Sequence, residues 1–266
     1  YKIKASSGEF VATIYERADL GQVSKILKIT AQLGVLGLPV PAPRLCEGEP
    51  AVILRQKPAS LTPFVEGRQV LTPNRLELAS LGETLAALHL KAADLGRDLP
   101  EGLFCWKLLE VEVEKGAARR PDMAAEMIAE ARRQALLPEK SLPAGFIHAD
   151  LFPDNVIFEA KSVKVAAILD FFMAGRGPFV FDLAACALGG CFSGGKLDSG
   201  LWESLLGGYG RVRRITDGER AVLLPYLRRA ALRYLCLRIE REGEKRAAGS
   251  GKDPQELYER LLSLKN

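Results

Sequence analysis

The sequence predicts an α+β protein of two lobes, in which a small β-containing lobe is followed by a larger, mainly helical one. Short apolar runs between turn residues dominate residues 1–66, whereas apolar side chains at helical spacing dominate residues 67–266. The segment LTPFVEG at residues 61–67 has proline and glycine near its ends, which predicts a connector. Because clefts between lobes commonly bind ligands, we expect the functional site beside this connector.

The composition limits the classes of partner. The chain has 266 residues, of which 48% are hydrophobic and 26% charged, as in globular proteins. No apolar run approaches the ~18 residues that a membrane span needs, so we expect no membrane partner. The net charge of +4 is compatible with an anionic small substrate. It is too small to indicate a nucleic acid partner, and no basic run is interleaved with aromatic residues.

The cysteines and the N-terminal segment indicate in which cellular compartment the protein is expected. The five cysteines form no Cys-x-x-Cys pair, which argues against a disulfide framework and against a zinc site. We therefore expect buried, reduced thiols in a cytoplasmic protein. The N-terminal YKIKASSGEF has no apolar signal core. It also lacks Met and starts inside a predicted strand, so we expect further residues upstream.

The first lobe is predicted to contain strands and one helix. Residues 10–15 form a β-type run after a turn, and residues 22–33 have apolar side chains spaced for one helical face. The prolines of residues 37–41 end this helix, because proline cannot continue the hydrogen-bonded ladder. Residues 47–49 predict a hairpin turn that leads into a strand at residues 51–54.

Helices are predicted for most of the second lobe. Thr72 as N-cap, with Pro73 at the first helical position, predicts the start of a long amphipathic helix. Another helix is expected over residues 121–135. Capping signatures mark the starts of two later helices: Thr216 with Glu219, and Asp253-Pro254 with Glu256.

The most informative segment is FIHADLFPDNVIF at residues 146–158. It places Asp150, Asp154 and Asn155 between two apolar runs that predict buried strands, and the next such run ends on Asp170. If the two strands after the loop pair as a hairpin, Asp150, Asn155 and Asp170 come together. Carboxylates within ~5 Å repel one another by kcal-scale amounts, unless they bind a proton or a cation. Because oxygen ligands suit Mg²⁺, the sequence favours a magnesium site here.

The spacing of these residues is typical of phosphoryl transfer of the protein-kinase kind. There an Asp accepts the proton of the attacking hydroxyl, and an Asn five residues later and the Asp of a D-F-G motif hold the metal ions. Here Asp150 and Asn155 have that spacing, and Asp170 begins DFF. The alternative is a polar turn beside an unrelated strand end, which the combination of both motifs disfavours.

Both motifs resemble the aminoglycoside-phosphotransferase-like kinase superfamily, and within it the bacterial homoserine kinases of that fold. Further segments that carry the resemblance are GLPVPAP, FVEG, LGETLAALHL, GYGRVR, RRAALRYLCLRI and KDPQELYERL, so it covers nearly all 266 residues. The resemblance implies a two-lobed protein-kinase-like fold with ATP and Mg²⁺ as cofactors. It implies phosphorylation of a small-molecule hydroxyl, with homoserine favoured, as in threonine biosynthesis.

The resemblance also implies roles for single residues. Asp150 would be the catalytic base, and Asn155 and Asp170 the Mg²⁺ ligands. His148 is the histidine of the catalytic loop, where shaping the loop is favoured over chemistry. Asp182 would brace this loop through hydrogen bonds, or would instead be the N-cap of the following helix.

For the nucleotide, the resemblance implies adenine contacts from the backbone of Phe64, Val65 and Glu66. Thr13 stands where a protein kinase has its phosphate-binding lysine, so that lysine remains unassigned. The loop that would cover the phosphates would lie upstream of Tyr1.

The acceptor site is less specified. A pocket for homoserine needs an arginine for the carboxylate and an acid for the ammonium group. Arg228, Arg233 and Arg238 follow one another at intervals of five residues, so they cannot share one helical face. We expect at least two of them to be solvated, and we predict that Arg233 binds the acceptor. Asp154 either faces the acceptor or caps the turn. Choline, an aminoglycoside or another amino alcohol remains an alternative acceptor, and an inactive kinase-fold binding module is an alternative function.

Overall fold

The computed structural model describes residues 1–16, 18–99, 106–137, 141–242 and 253–264. Within them, strands dominate the first 63 residues and helices most of the rest. The strands are β1 (Lys2–Ala5), β2 (Gly8–Ile14), β3 (Val52–Leu54), β4 (Lys57–Pro63), β5 (Arg68–Gln69), β6 (Ala144–Ile147), β7 (Val156–Phe158), β8 (Val165–Ile168), β9 (Gly175–Pro178), β10 (Phe192–Ser193) and β11 (Lys196–Leu197). The helices are α1 (Leu20–Val35), α2 (Arg75–Lys91), α3 (Trp106–Arg119), α4 (Pro121–Gln134), α5 (Phe179–Gly190), α6 (Ser199–Val212), α7 (Asp217–Glu240) and α8 (Pro254–Ser263).

The first lobe is a four-stranded antiparallel sheet of order β1-β2-β4-β3 with α1 packed beside it. Helix α1 begins two residues earlier than predicted, because Asp19 and Gln22 form a capping box. Val23 and Leu27 of α1 pack with Ala51 in a small apolar cluster. The strand and helix predicted for this lobe are therefore confirmed.

The sheet of the first lobe ends at Pro63, and β5 begins the next sheet at Arg68. Gly67 lies so close to β7 that a Cβ there would be 2.3 Å from the carbonyl oxygen of Phe158. A side chain at this position would clash with backbone, so the connector depends on glycine. The predicted domain boundary between residues 66 and 67 falls in this segment and stays a prediction.

Helix α2 starts at a different residue from the one predicted. Its N-cap is Asn74, two residues after Thr72, and Pro73 precedes the cap. The Asn74 Oδ1 accepts hydrogen bonds from the backbone N–H groups of Leu76 and Glu77, and the Glu77 carboxylate accepts one from the Asn74 N–H. This capping box satisfies three backbone donors, which explains why Asn74 rather than Thr72 caps the helix.

Two strand pairs flank the loop at residues 148–152. β6 pairs with β9, and β7 pairs antiparallel with β8 in a register that sets Val156 opposite Ile168. The predicted hairpin is therefore confirmed. Its two strands, with the almost fully buried α5 and the middle of α7, belong to the main apolar core.

Three further predictions concern the start of α8, the cysteines and membrane-spanning helices. Asp253 caps α8, but the Glu256 carboxylate accepts from Arg238 instead of completing a capping box. Among the described cysteines, three are buried and unlinked, whereas Cys46 is exposed, and Cys105 lies outside the described residues. None of the helices described here is both long and apolar enough to cross a membrane.

Candidate active site

The β7–β8 hairpin brings the two motifs together. After β6 the chain runs through the loop at residues 148–152 and a 3₁₀ turn at Pro153–Asn155 into β7. The Leu169 N–H, just beyond β8, donates to the Asn155 carbonyl at 2.9 Å. Asp170 therefore follows directly after a residue that is bonded to Asn155.

The acids and the amide singled out in the sequence share one cavity. Asp150, Asp154, Asn155 and Asp170 all line a space of about 250 Å³. Asp154 lies inside the 3₁₀ turn and also lines this space. That its side chain faces the acceptor, and does not cap the turn, stays a prediction.

Two residues of this region have left-handed backbone that non-glycine residues rarely adopt: Ala149 with φ 60° and Asp170 with φ 57°. Ala149 is held from both sides. Its N–H donates to the Asp182 Oδ1 at 2.7 Å, and its carbonyl accepts from the Arg233 guanidinium at 2.6 Å and the Tyr234 hydroxyl at 2.7 Å. Such strained residues persist where their surroundings over-determine them, so these bonds fix the orientation of the adjoining Asp150.

Asp182 bonds to the loop as the bracing interpretation requires. Its carboxylate accepts from the backbone N–H of His148 and of Ala149, both at 2.7 Å, and from the ring of His89 at 3.0 Å. The alternative as an N-cap is wrong, because α5 begins at Phe179 and is capped by Pro178. Burial opposes the ionisation of Asp182, but the hydrogen bond from His89 and nearby charges outweigh it and lower its pKa.

His89 is a residue of the site that the sequence reasoning missed. It lies on α2, fully buried, with its ring stacked on Phe179 at 4.4 Å. Burial lowers the pKa of His89, so the neutral ring donates from Nε2 to Asp182 and accepts at Nδ1 from the Tyr209 hydroxyl at 2.7 Å. A histidine on the apolar face of LGETLAALHL was the available signal, but its partner lies 93 residues further along the chain.

His148 has both ring nitrogens bonded to backbone. Nε2 donates to the Leu169 carbonyl at 2.8 Å, and Nδ1 accepts from the Asp150 N–H at 3.2 Å. No ring nitrogen is left to exchange a proton with a substrate. The geometry is that of a residue that connects the loop to the strand end before Asp170.

The carboxyl group of Asp150 lies in an environment that disfavours its ionised form. Burial raises the pKa of Asp150, Asp170 and Asp154 act in the same direction, and Arg233 opposes them. The Asn155 amide nitrogen donates to the Asp150 carbonyl oxygen at 2.8 Å and approaches its carboxylate at 3.5 Å. A carboxylate with a raised pKa that faces a cavity has the properties of a general base.

Asn155 and Asp170 fit a hard divalent cation. Because the Asn155 nitrogen is engaged by Asp150, its Oδ1 remains as a ligand, and the exposed Asp170 carboxylate accepts only the Phe172 N–H at 3.2 Å among the described residues. The described chain contains no group of three or more His, Cys, Asp or Glu side chains that could hold a metal ion alone. A cation here would need ligands from elsewhere, which is the usual situation of Mg²⁺ with substrate phosphates.

A second, larger cavity of about 490 Å³ lies between the sheet of the first lobe and the hairpin. Thr13 and Val65, two of the residues for which the sequence predicts nucleotide contacts, line it, and no lysine is among its described lining residues. Asp170 is the residue that this cavity shares with the smaller one. Its apolar walls include Ile26, Leu27, Ile157, Ile168, Leu169 and Phe171.

The connector contributes unequally to the larger cavity. Phe64 and Val65 line it, whereas Glu66 is exposed and does not. The Phe64 N–H is already donated to the Glu9 carbonyl at 2.9 Å. The backbone of Val65 is therefore better placed than that of Glu66 to pair with a ligand in this cavity.

The arginines of α7 differ from expectation. None of the three is solvated: the side chains of Arg228 and Arg238 are 11% and 12% exposed, and Arg233 is fully buried. Arg228 pairs with Glu130. The Arg233 guanidinium donates to the Ala149 carbonyl and is not among the residues that line the smaller cavity. Arg238 and Arg241 line that cavity instead.

Comparison with known proteins agrees with this geometry. A model of the phosphotransferase enzyme family matches residues 1–215. A homoserine kinase of Mesorhizobium japonicum is 32% identical over 247 residues, which cover 90% of this chain and 76% of that protein. A homoserine kinase of Polaromonas naphthalenivorans is 33% identical over 250 residues, which cover 90% of this chain and 77% of that protein.

Solved structures are similar in fold. An amicoumacin kinase in complex with AMP-PNP, Ca²⁺ and Ami has a TM-score of 0.70 at 14% sequence identity, over 98% of this chain and 84% of that one. At this identity the likeness concerns the fold alone. It confirms the prediction of a two-lobed, protein-kinase-like α+β architecture.

Proposed function

Because the chain belongs to the phosphotransferase enzyme family, we propose that it transfers the γ-phosphoryl group of ATP to the hydroxyl of a small molecule. The acceptor that we propose is L-homoserine, which gives O-phospho-L-homoserine for threonine biosynthesis. The homoserine kinases among its relatives support this choice. The unlinked, buried thiols support a cytoplasmic reaction.

One observation carries the proposal: Asp170 lines both the larger and the smaller cavity. Phosphoryl transfer requires a nucleotide and an acceptor in adjoining sites, with the transferred group between them. The larger cavity, with its apolar walls, suits adenine and ribose, and the smaller one beside Asp150 suits the acceptor. The phosphate chain would then pass Asp170 on its way to the acceptor hydroxyl.

The residues of the loop and their neighbours would have three separate roles: proton acceptance, metal binding and positioning of Asp150. Asp150 accepts the proton of the acceptor hydroxyl as that oxygen attacks, which aligns the nucleophile with the phosphorus. Asn155 and Asp170 would hold Mg²⁺, which when bound neutralises phosphate charge. His148, Asp182 and the backbone bonds to Ala149 keep Asp150 at its place, which lowers the entropic cost of alignment.

The smaller cavity favours a small acceptor over an antibiotic. Pockets for drug-sized ligands are commonly about 300–1,000 Å³, whereas this space is about 250 Å³. Its walls carry acids on the loop side and arginines on the α7 side. Such a pair of walls suits a zwitterionic amino acid, whereas choline has no anionic group to meet the arginines.

An ADP-release assay tests the proposal with L-homoserine, choline and kanamycin as acceptors. We expect turnover with L-homoserine, and we expect Asp150→Asn to lower kcat by about 10²- to 10⁴-fold, the usual contribution of a general base. Asp94→Asn is the matched control, since Asp94 is an exposed acid paired with Arg97 on the surface. Full activity of Asp150→Asn would refute the role of the base.

The same assay separates the alternatives. Turnover with choline or kanamycin, but not with L-homoserine, would mean that the acceptor belongs to another class of compound. ATP binding in the presence of Mg²⁺, without turnover of any acceptor, would favour an inactive binding module.

A further inference from the structure

The C-terminal end of α7 presents one face to the smaller cavity. Tyr234, Leu237, Arg238 and Arg241 all line it. Their spacing of three, four and seven residues places them on one side of the helix, and Arg241 is its C-cap. The part of the cavity wall that α7 contributes is therefore a single helical face with two guanidinium groups.

Arg238 is fixed by its neighbours. Its guanidinium donates to the Asp253 carbonyl at 2.7 Å and to the Glu256 carboxylate at 2.9 Å, both at the start of α8. Both bonds come from Nη1, so one end of the guanidinium is held by α8, and Glu256 partly balances its charge. It adds a fixed positive charge to the wall.

Arg241, unlike Arg238, has no side-chain partner among the described residues. Its backbone N–H continues the helix ladder to Leu237, but its side chain makes no hydrogen bond or ion pair with any residue that the structure describes. The neighbouring acid, Glu242, is engaged by Arg120 at 3.2 Å. Within the described part of the chain, the whole guanidinium fork of Arg241 is therefore left for a ligand in the cavity.

We propose that Arg241 binds the carboxylate of the acceptor and selects amino acids over amino alcohols, an inference that rests on the proposed kinase function. A guanidinium binds a carboxylate through two parallel N–H···O bonds, which gives direction as well as affinity. The carboxylate end of the acceptor then lies at the α7 wall and its hydroxyl end at Asp150. The fixed charge of Arg238 strengthens the attraction without competing for the same geometry.

The test compares L-homoserine with 3-amino-1-propanol, which is the same chain without the carboxylate. We expect Arg241→Gln to raise the KM for L-homoserine by about 10- to 100-fold, as for a lost charge-assisted contact, with kcat within about threefold. The kcat/KM for 3-amino-1-propanol should stay within about threefold of the wild type. Arg241→Lys should fall between, because lysine keeps the charge and loses the fork.

Arg220→Gln is the matched control, because Arg220 is an exposed arginine near the other end of the same helix. It should leave both acceptors unchanged. An equal loss of both acceptors in Arg241→Gln, or no loss of either, would overturn the carboxylate assignment while the kinase function stands. If the wild type does not phosphorylate L-homoserine, the proposed function fails, and the assignment with it.

Discussion

At the scale of single residues, the carboxyl group of Asp150 has consequences for stability as well as for chemistry. Burial raises the pKa of Asp150 in the folded protein, and the adjacent Asp170 and Asp154 add to this. A raised folded pKa gives stability that is present below the unfolded pKa and is lost as the pH rises through the folded pKa. At neutral pH the ionised carboxylate therefore destabilises the fold relative to a neutral side chain.

Asp150→Asn should accordingly lose most of its activity and yet be at least as stable as the wild type at pH 7. We expect a higher Tm for the variant at pH 7 to 8. The difference should shrink as the pH falls through the raised folded pKa toward the unfolded pKa, because the wild-type carboxyl becomes neutral there. Thermal unfolding without nucleotide, from pH 5 to 8, measures both. A variant with a lower Tm at pH 7 would contradict the electrostatic account.

The spatial convergence that the sequence predicted correctly depends on local relations, whereas the roles of the residues stay predictions. Asp150 and Asn155 are five apart in one loop, and Asp170 is brought to them by a hairpin that the apolar runs indicate. His89 and Arg241 could not be found in this way, because their significance depends on helices far along the chain that pack against the loop. Arg233 was chosen by position on a helix, and only the packing determines which side of that helix is buried.

At the scale of secondary-structure elements, the contact between α2 and α6 depends on glycine. A Cβ at Gly208 would lie 2.0 Å from the Ala79 carbonyl oxygen, and one at Gly82 would lie 2.3 Å from the Leu205 carbonyl oxygen. The obstructing atoms are backbone, so a side chain can be accommodated only if the helices separate. The contact matters for the site because α6 carries Tyr209, which bonds to His89.

Gly208→Ala should therefore lower the free energy of unfolding by about 1–3 kcal/mol, the usual cost of overpacking a close contact. The neighbouring Gly207 provides the control, because a Cβ there would meet nothing within 4 Å. Gly207→Ala should instead stabilise the protein by about 0.5–1 kcal/mol through helix propensity. Urea unfolding of the two variants measures the difference, and equal effects would mean that the helices do not meet at Gly208.

Element types were predicted better than element ends. The capping box of Thr216 and Glu219 is confirmed, because its two reciprocal bonds are formed within four residues. The sequence predicts the start of α2 at Thr72, because a threonine before proline is a strong local signal. Asn74 caps instead, since the reciprocal bonds with Glu77 satisfy more donors than a threonine hydroxyl could. The glycine contact between α2 and α6 has no sequence signature, because glycines in a helix are equally compatible with exposure.

At the scale of the whole molecule, the change from strand patterns to helical patterns was enough to predict the two-lobed fold. The boundary near residue 66 and a functional site beside the connector stay predictions. The depth and walls of the two cavities could not be predicted, because they depend on how the first sheet lies over the hairpin. Their meeting at Asp170 is the feature that relates the lobes to the proposed reaction. It also lets the nucleotide and the metal be tested together.

Binding of nucleotide with metal should stabilise the folded chain through Asp170. A ligand at about 100 times its Kd adds about 2.7 kcal/mol, and for a chain of this size 1 kcal/mol shifts Tm by about 2–4 °C. We therefore expect AMP-PNP with Mg²⁺ to raise the wild-type Tm by about 5–10 °C, and EDTA to remove most of this increase. Asp170→Asn should lose the Mg²⁺-dependent part, because the amide offers no negative charge to the ion, while Asp94→Asn keeps it. An undiminished Mg²⁺-dependent shift in Asp170→Asn would mean that the metal is held elsewhere, and that the junction between the two cavities is not where phosphate charge is neutralised.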